Sequence, residues 1–192
     1  MNTNYNFSES LCHYAFDCLL NHLVPSKKVN TPDFPDTEYP LFVTLFKNNN
    51  LRGCIGTFKK LPLHTGIKEF VINASQNDTR FKPVTLNELP HLELSVSLLD
   101  KFEEADSPMD FEIGIHGVII TFINNNIKYV STFLPEVAVE QNWDKETTLR
   151  HLVSKSGFSG SFEDVKPNIS LVRYISRKWK VSYNVWNSIR SN

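Results

Sequence analysis

Several features are scarce in this chain of 192 residues, and each scarcity narrows what it can be. It holds only three cysteines, Cys12, Cys18 and Cys54, an odd number with no C-x-x-C spacing. That excludes a disulfide framework and favours a reducing compartment. Formal net charge is only −1, so no global field draws the chain to nucleic acid or anionic lipid. No apolar run approaches the roughly 18–20 residues of a membrane span. The first six residues are polar rather than basic and then apolar, so no leader is expected, and the sequons at Asn6, Asn73, Asn77 and Asn168 read as coincidence. The expected place is the cytoplasm, with the nucleus as the alternative. H-x-x-x-H and H-E-x-x-H are also missing, and His64, Asp78, Cys54 and His116 share no ligand spacing, so neither a metal nor a cofactor is expected.

What is present is apolar and aromatic: 41% hydrophobic residues, with 14 Phe, six Tyr and three Trp. That is enough for a proper core within one domain, residues 1–192. Ser8 is placed to cap a first helix, in which Leu11, Ala15, Cys18, Leu19, His22 and Leu23 keep a helical period up to Pro25. The prolines of residues 25–40 make an extended connector. Residues 41–47 and 51–58 read as a hairpin around an asparagine turn. Ile67, Phe70, Val71 and Ala74 mark a helix over 63–77, and Thr85 with Glu88 forms a capping box.

Residues 91–99 alternate as a strand, and 100–110 read as acidic and irregular. Residues 112–115, 118–123 and 127–133 read as three short strands, with turns at His116-Gly117 and at the asparagines 124–126. A short helix over 135–141 follows, then one capped by Asp144 and stopped by Gly157. The last element is a long strand over 169–181. Helices and hairpins without a βαβ rhythm predict an α+β fold with a mainly antiparallel sheet flanked by helices.

The most informative stretch is Leu51-Arg52-Gly53-Cys54-Ile55-Gly56-Thr57-Phe58. Glycine weakens a strand interior and marks a bulge or a close approach. If the segment is regular, Arg52, Cys54, Gly56 and Phe58 share one face. A cation beside a thiol favours thiolate, which makes Cys54 a candidate nucleophile. The plain alternative is a buried, inert cysteine. Arg52 suits an anionic ligand equally well as it suits an internal ion pair with Asp78 or Glu136.

Further segments extend the pattern: Tyr39-Pro40-Leu41-Phe42-Val43-Thr44, Asp78-Thr79-Arg80-Phe81, Ser95-Val96-Ser97-Leu98-Leu99, Gly114-Ile115-His116-Gly117, Leu134-Pro135-Glu136-Val137-Ala138, Gln141-Asn142-Trp143-Asp144 and Leu171-Val172-Arg173-Tyr174. With the 51–58 stretch, in this order, they resemble the AMMECR family over about residues 11–183. The resemblance implies a larger and a smaller lobe with a cleft between them, and no particular reaction. The chain departs from the family at Lys155-Ser156-Gly157-Phe158, where Lys-Gly-Gly-Tyr is usual.

His116 has an imidazole suited to proton transfer near neutrality, or is a turn residue that tolerates positive φ. Asp78 and Arg80, two apart, face one way in an extended loop and orient either a ligand or each other. Glu136 sits in a helix's first turn, where the dipole alone favours it. Cys54 and His116 are therefore the catalytic candidates. Arg52, Gly53, Gly56, Thr57, Asp78, Arg80 and Glu136 are the ligand-binding ones. The expected partner is a small molecule or anion in a cleft around 51–58. An RNA- or nucleotide-binding module is one alternative, since Arg173, Arg177, Lys178 and Lys180 accompany Tyr174 and Trp179. A protein-binding adaptor is the other.

Overall fold

The structure, a computed structural model, describes residues 7–190. The fold is α+β, with six antiparallel strands and flanking helices. In chain order the elements are α1 (Ser10–Leu23), β1 (Glu38–Lys47), β2 (Asn50–Pro62), α2 (Leu63–Ile72), a π-helical turn (Asn73–Asn77), a 3-10 turn (Leu86–His91) and β3 (Leu92–Glu104). Then come β4 (His116–Asn124), β5 (Ile127–Phe133), α3 (Pro135–Glu140), α4 (Lys145–Lys155), α5 (Phe162–Val165), a 3-10 turn (Lys166–Asn168), β6 (Ser170–Ser182) and α6 (Tyr183–Arg190). The strand order is β2-β1-β3-β6-β4-β5. The chain divides into two compact units, Met1–Leu98 with Arg177–Asn192, and Leu99–Ser176.

In the first unit, β1 and β2 form a hairpin in which Lys47 pairs with Asn50. The two residues between them, Asn48 and Asn49, have φ of 51° and 64°. Asparagine tolerates this left-handed region, and two such residues match the twist of a tight hairpin. Leu41, Val43 and Leu45 pair with Leu98, Val96 and Leu94 on β3. All six are buried in one cluster with Leu11, Ala15, Phe16 and Leu19 of α1 and Ile67 and Val71 of α2. Alternation along the strands and the helical period of α1 thus converge on one core.

The second unit has its own core. Val118, Ile120 and Phe122 of β4 pack with Leu149, Leu152 and Val153 of α4 and with Val165, Ile169 and Leu171. Asp144 caps α4 by accepting from the Thr147 N–H at 2.7 Å. Gly157 ends the helix at φ +85°. Tyr174 is fully buried, stacks on Phe102 and lies over Gly117, where a Cβ would come within 2.3 Å of its ring.

Several local expectations are corrected. The N-cap of α1 is Glu9, whose side chain makes no cap, and Ser8, one position earlier, accepts from the N–H of Ser10, the first residue of the helix, at 3.3 Å. His22 is exposed, while Leu20 and Leu23 of the same turn pack on the core. Residues 112–115 are a turn, not a strand. Gly114 takes φ +82°, which strand geometry does not allow, and His116-Gly117 opens β4 instead of turning the chain. The acidic residues 100–104 continue β3, because four exposed positions there need no apolar alternation. A helix, α6, follows the last strand; only Trp186 of it is buried, so little periodicity announced it.

Candidate functional site

The site region is built on the edge strand β2. Leu45 pairs with Gly53 but Phe46 pairs with Leu51, so Arg52 is the extra residue of a β-bulge. The bulge breaks the parity that would have placed Arg52 on the face of Cys54. Its guanidinium instead reaches Glu88 of the 3-10 turn, with Nε to Oε1 at 3.0 Å and Nη2 to Oε2 at 3.2 Å. Its carboxylate partner is therefore Glu88, not Asp78 or Glu136. Glu88 also accepts from Lys47 Nζ at 2.9 Å and from the Thr85 N–H at 3.0 Å. Burial pushes the Glu88 carboxyl up, but Arg52, Thr85 and Lys47 outweigh it and hold it at about 2.

Gly53 faces the π-helical turn. A Cβ there would lie 2.0 Å from the Ala74 carbonyl oxygen, so only glycine lets this turn pack on β2. The turn delivers Asp78 to the free edge of the strand. The Cys54 N–H donates to Asp78 Oδ2 at 2.9 Å, and Arg80 Nη2 donates to the Cys54 carbonyl at 3.0 Å. Arg80 also binds Asp78, through Nε at 2.9 Å and Nη2 at 2.6 Å. The two side chains thus pair with each other and jointly cover an unpaired strand edge, as a neighbouring strand would. The Arg80 hydrogen bonds hold the Asp78 carboxyl well below its usual range against the opposing effect of burial, helped by the Cys54 N–H. Phe81 receives both guanidinium groups, Arg80 at 5.5 Å and Arg52 at 6.0 Å from its centroid.

Cys54 pairs with Thr44, and its Sγ lies 3.2 Å from Thr44 Oγ1. Its N–H and C=O point away from β1, which marks this as the pair type whose side chains approach most closely. Thr44 in turn pairs with Ser95 of β3. A thiol and two hydroxyls therefore form one row across three strands, on the face opposite the α1/α2 core. Ser95 is completely buried, and its Oγ has no hydrogen-bond partner among the described residues. Cys54 is half-buried, whereas Cys12 and Cys18 are buried in the core, where desolvation pushes their thiols up to about 12 and about 11.

The next row is closed. Gly56 pairs with Phe42, and a Cβ at Gly56 would stand 2.3 Å from the Phe42 ring. Phe42 covers the gap and meets Phe58 edge-on at 5.5 Å. Thr57 accepts a hydrogen bond from the Lys59 N–H at 3.0 Å.

His116 and Glu136 belong to the second unit. His116 Nδ1 accepts from the Glu112 N–H at 2.9 Å, which leaves the ring proton on Nε2. Glu136 lies in the first turn of α3. Arg173, a candidate for nucleic-acid contact, is paired with Glu103 and Asp110. Among the described residues no group of three or more His, Cys, Asp or Glu could hold a metal ion, and no helix is long and apolar enough to cross a membrane.

Sequence reasoning passed over Thr44, Ser95 and Glu88. The signal for the first two was available: small polar residues at alternate positions of strands that are otherwise aliphatic. The Glu88 partnership was not, because it joins residues 36 apart through the bulge.

The fold is that of a known class. The AMMECR1 family model matches residues 12–179. An uncharacterised protein of Schizosaccharomyces pombe is 41% identical over 179 residues, covering 90% of this chain and 91% of its own length. One of Arabidopsis thaliana is 37% identical over 183 residues, covering 91% and 85%. The crystal structure of an uncharacterised protein from Pyrococcus horikoshii shares the fold, with a TM-score of 0.70 at 24% identity and 89% of each chain covered. The chain belongs to the AMMECR1 family.

Proposed function

We propose that the chain binds a small, neutral polar ligand at the row Cys54–Thr44–Ser95, with the Cys54 thiol as its reactive group. The observation that carries this reading is the Ser95 hydroxyl, wholly buried and unpartnered, in one row with Thr44 and a thiol that is not sealed in the core. A buried donor without a partner costs about 1–3 kcal/mol, so a fold that keeps one calls for a reason. Arg52 and Arg80 are each held by a carboxylate, which favours a neutral ligand over a polyanion such as RNA. Catalysis at the Cys54 thiol is the extension of this reading.

Two measurements test it. In the folded protein, iodoacetamide should alkylate Cys54 and spare Cys12 and Cys18, as read by peptide mass mapping. Equal labelling of the three would remove the accessible thiol. Ser95→Ala should raise stability by about 1 kcal/mol, because it deletes an unsatisfied hydroxyl that folding does not need. A loss of stability would show that the hydroxyl is structural, and the reading would fail.

A further inference from the structure

A cavity of about 300 Å³ lies within the first unit, where α1, residues 30–33 and α6 meet. It shares no residue with the Cys54 row. Its lining includes two acidic residues, Asp17 and Asp33, and one permanent cation, Arg190, with the rings of His13, Tyr14 and Trp186. Asp17 is a buried charge in the middle of α1, among positions otherwise filled by Leu, Cys, Ala and Phe. Such a position is costly unless it is fully bonded, and here it is. Its Oδ1 accepts from Trp186 Nε1 at 3.0 Å and from Arg190 Nη1 at 2.8 Å, and its Oδ2 from the Asn30 N–H at 3.1 Å.

The chain's own arginine displays the recognition chemistry. The Arg190 guanidinium is bonded to Asp17, lies 5.2 Å from the Trp186 ring centroid, and donates to the Lys28 carbonyl at 2.8 Å. A carboxylate, an aromatic face and a backbone carbonyl together select a planar organic cation. Beside this occupied subsite the cavity keeps open volume, with Asp33 on an exposed stretch as a carboxylate not used by Arg190.

We propose that this cavity is a binding site for a small organic cation, a guanidine or amine with an apolar body, whose charge meets Asp33 and whose body packs on Tyr14 and Trp186. Arg190 is the internal counterpart of that ligand and competes with it for Asp17.

L-Argininamide is the cationic probe, and benzoate is the anionic control of similar size, each titrated calorimetrically into the full chain. Argininamide should bind and benzoate should not. Asp33→Asn, an exposed and structurally mild change, should weaken argininamide about tenfold or more, as loss of a charge-assisted contact does. Arg190→Ala should strengthen it by a similar factor and be restored in melting temperature by added argininamide. If Arg190→Ala does not fold, Asp33→Asn decides alone. Absence of argininamide binding, tighter binding of benzoate, or affinity unchanged by Asp33→Asn overturns the proposal.

Discussion

Gly53→Ala is expected to cost about 3 kcal/mol or more, well beyond the usual helix or strand preference of alanine over glycine. The added Cβ would sit 2.0 Å from the Ala74 carbonyl oxygen, and backbone cannot step aside as a side-chain tip can. The π-helical turn must lift off β2 and take with it the Asp78 carboxylate that holds the Cys54 N–H. Gly56→Ala should also cost about 3 kcal/mol, since its Cβ would meet the Leu41 carbonyl oxygen at 2.4 Å as well as the movable Phe42 ring at 2.3 Å. A double-mutant cycle separates the ring from the carbonyl. With Phe42→Ala already present, adding Gly56→Ala should cost less than it does in the parent but still destabilise, because the Leu41 carbonyl oxygen remains 2.4 Å from the new Cβ. Urea unfolding measures the parent and the four variants. A Gly53→Ala protein as stable as the parent would show that Gly53 is dispensable, and additive Phe42 and Gly56 effects would show that the Leu41 carbonyl, not the ring, excludes a side chain at Gly56.

The second large effect centres on Glu88. Glu88→Ala strands Arg52, whose side chain is 13% exposed and whose Nη1 is already buried without a partner, and it removes the capping box as well. A loss of about 3 kcal/mol is expected, the range for breaking a largely buried ion pair from one side. The pH dependence follows the same contact. The Glu88 carboxyl is held at about 2 in the folded chain against an ordinary 4.5, so its contribution is complete above the ordinary value and disappears as pH falls toward about 2. Asp78, held lower still by Arg80, adds to the same acid-side loss. Urea midpoints measured from pH 6 down to pH 3 should therefore fall steeply for the parent and more gently for Glu88→Gln. Parallel curves would mean that Glu88 does not bind its partners in solution.

Much of this was legible along the chain. The strand over 41–47 and its hairpin, the α1 stripe, the Thr85/Glu88 box and the Asp144 cap are local signals. Each is fixed within a few residues by backbone geometry and burial, and each stands where it was expected. The family was legible too, because its ordered segments are linear. The ends of elements were less so: 112–115 has strand residues but a glycine at positive φ, and α6 carries a single buried anchor.

The site divides along the same line. That Arg52, Gly53, Cys54 and Gly56 matter together could be read from the unusual glycines. What each one does was decided by tertiary structure. A single extra residue at Arg52 turned its cation to Glu88 and away from the thiol. A carbonyl of Ala74, 21 positions along the chain, explains Gly53, and a ring and a carbonyl on the neighbouring strand explain Gly56. The buried Ser95 beside Thr44 and Cys54, and the Arg190 that closes on Asp17 from 173 residues away, arise only when distant strands and helices come into register. Local sequence determines which face a side chain takes. Partners and burial are properties of the assembled chain, because they depend on surfaces that no single segment contains.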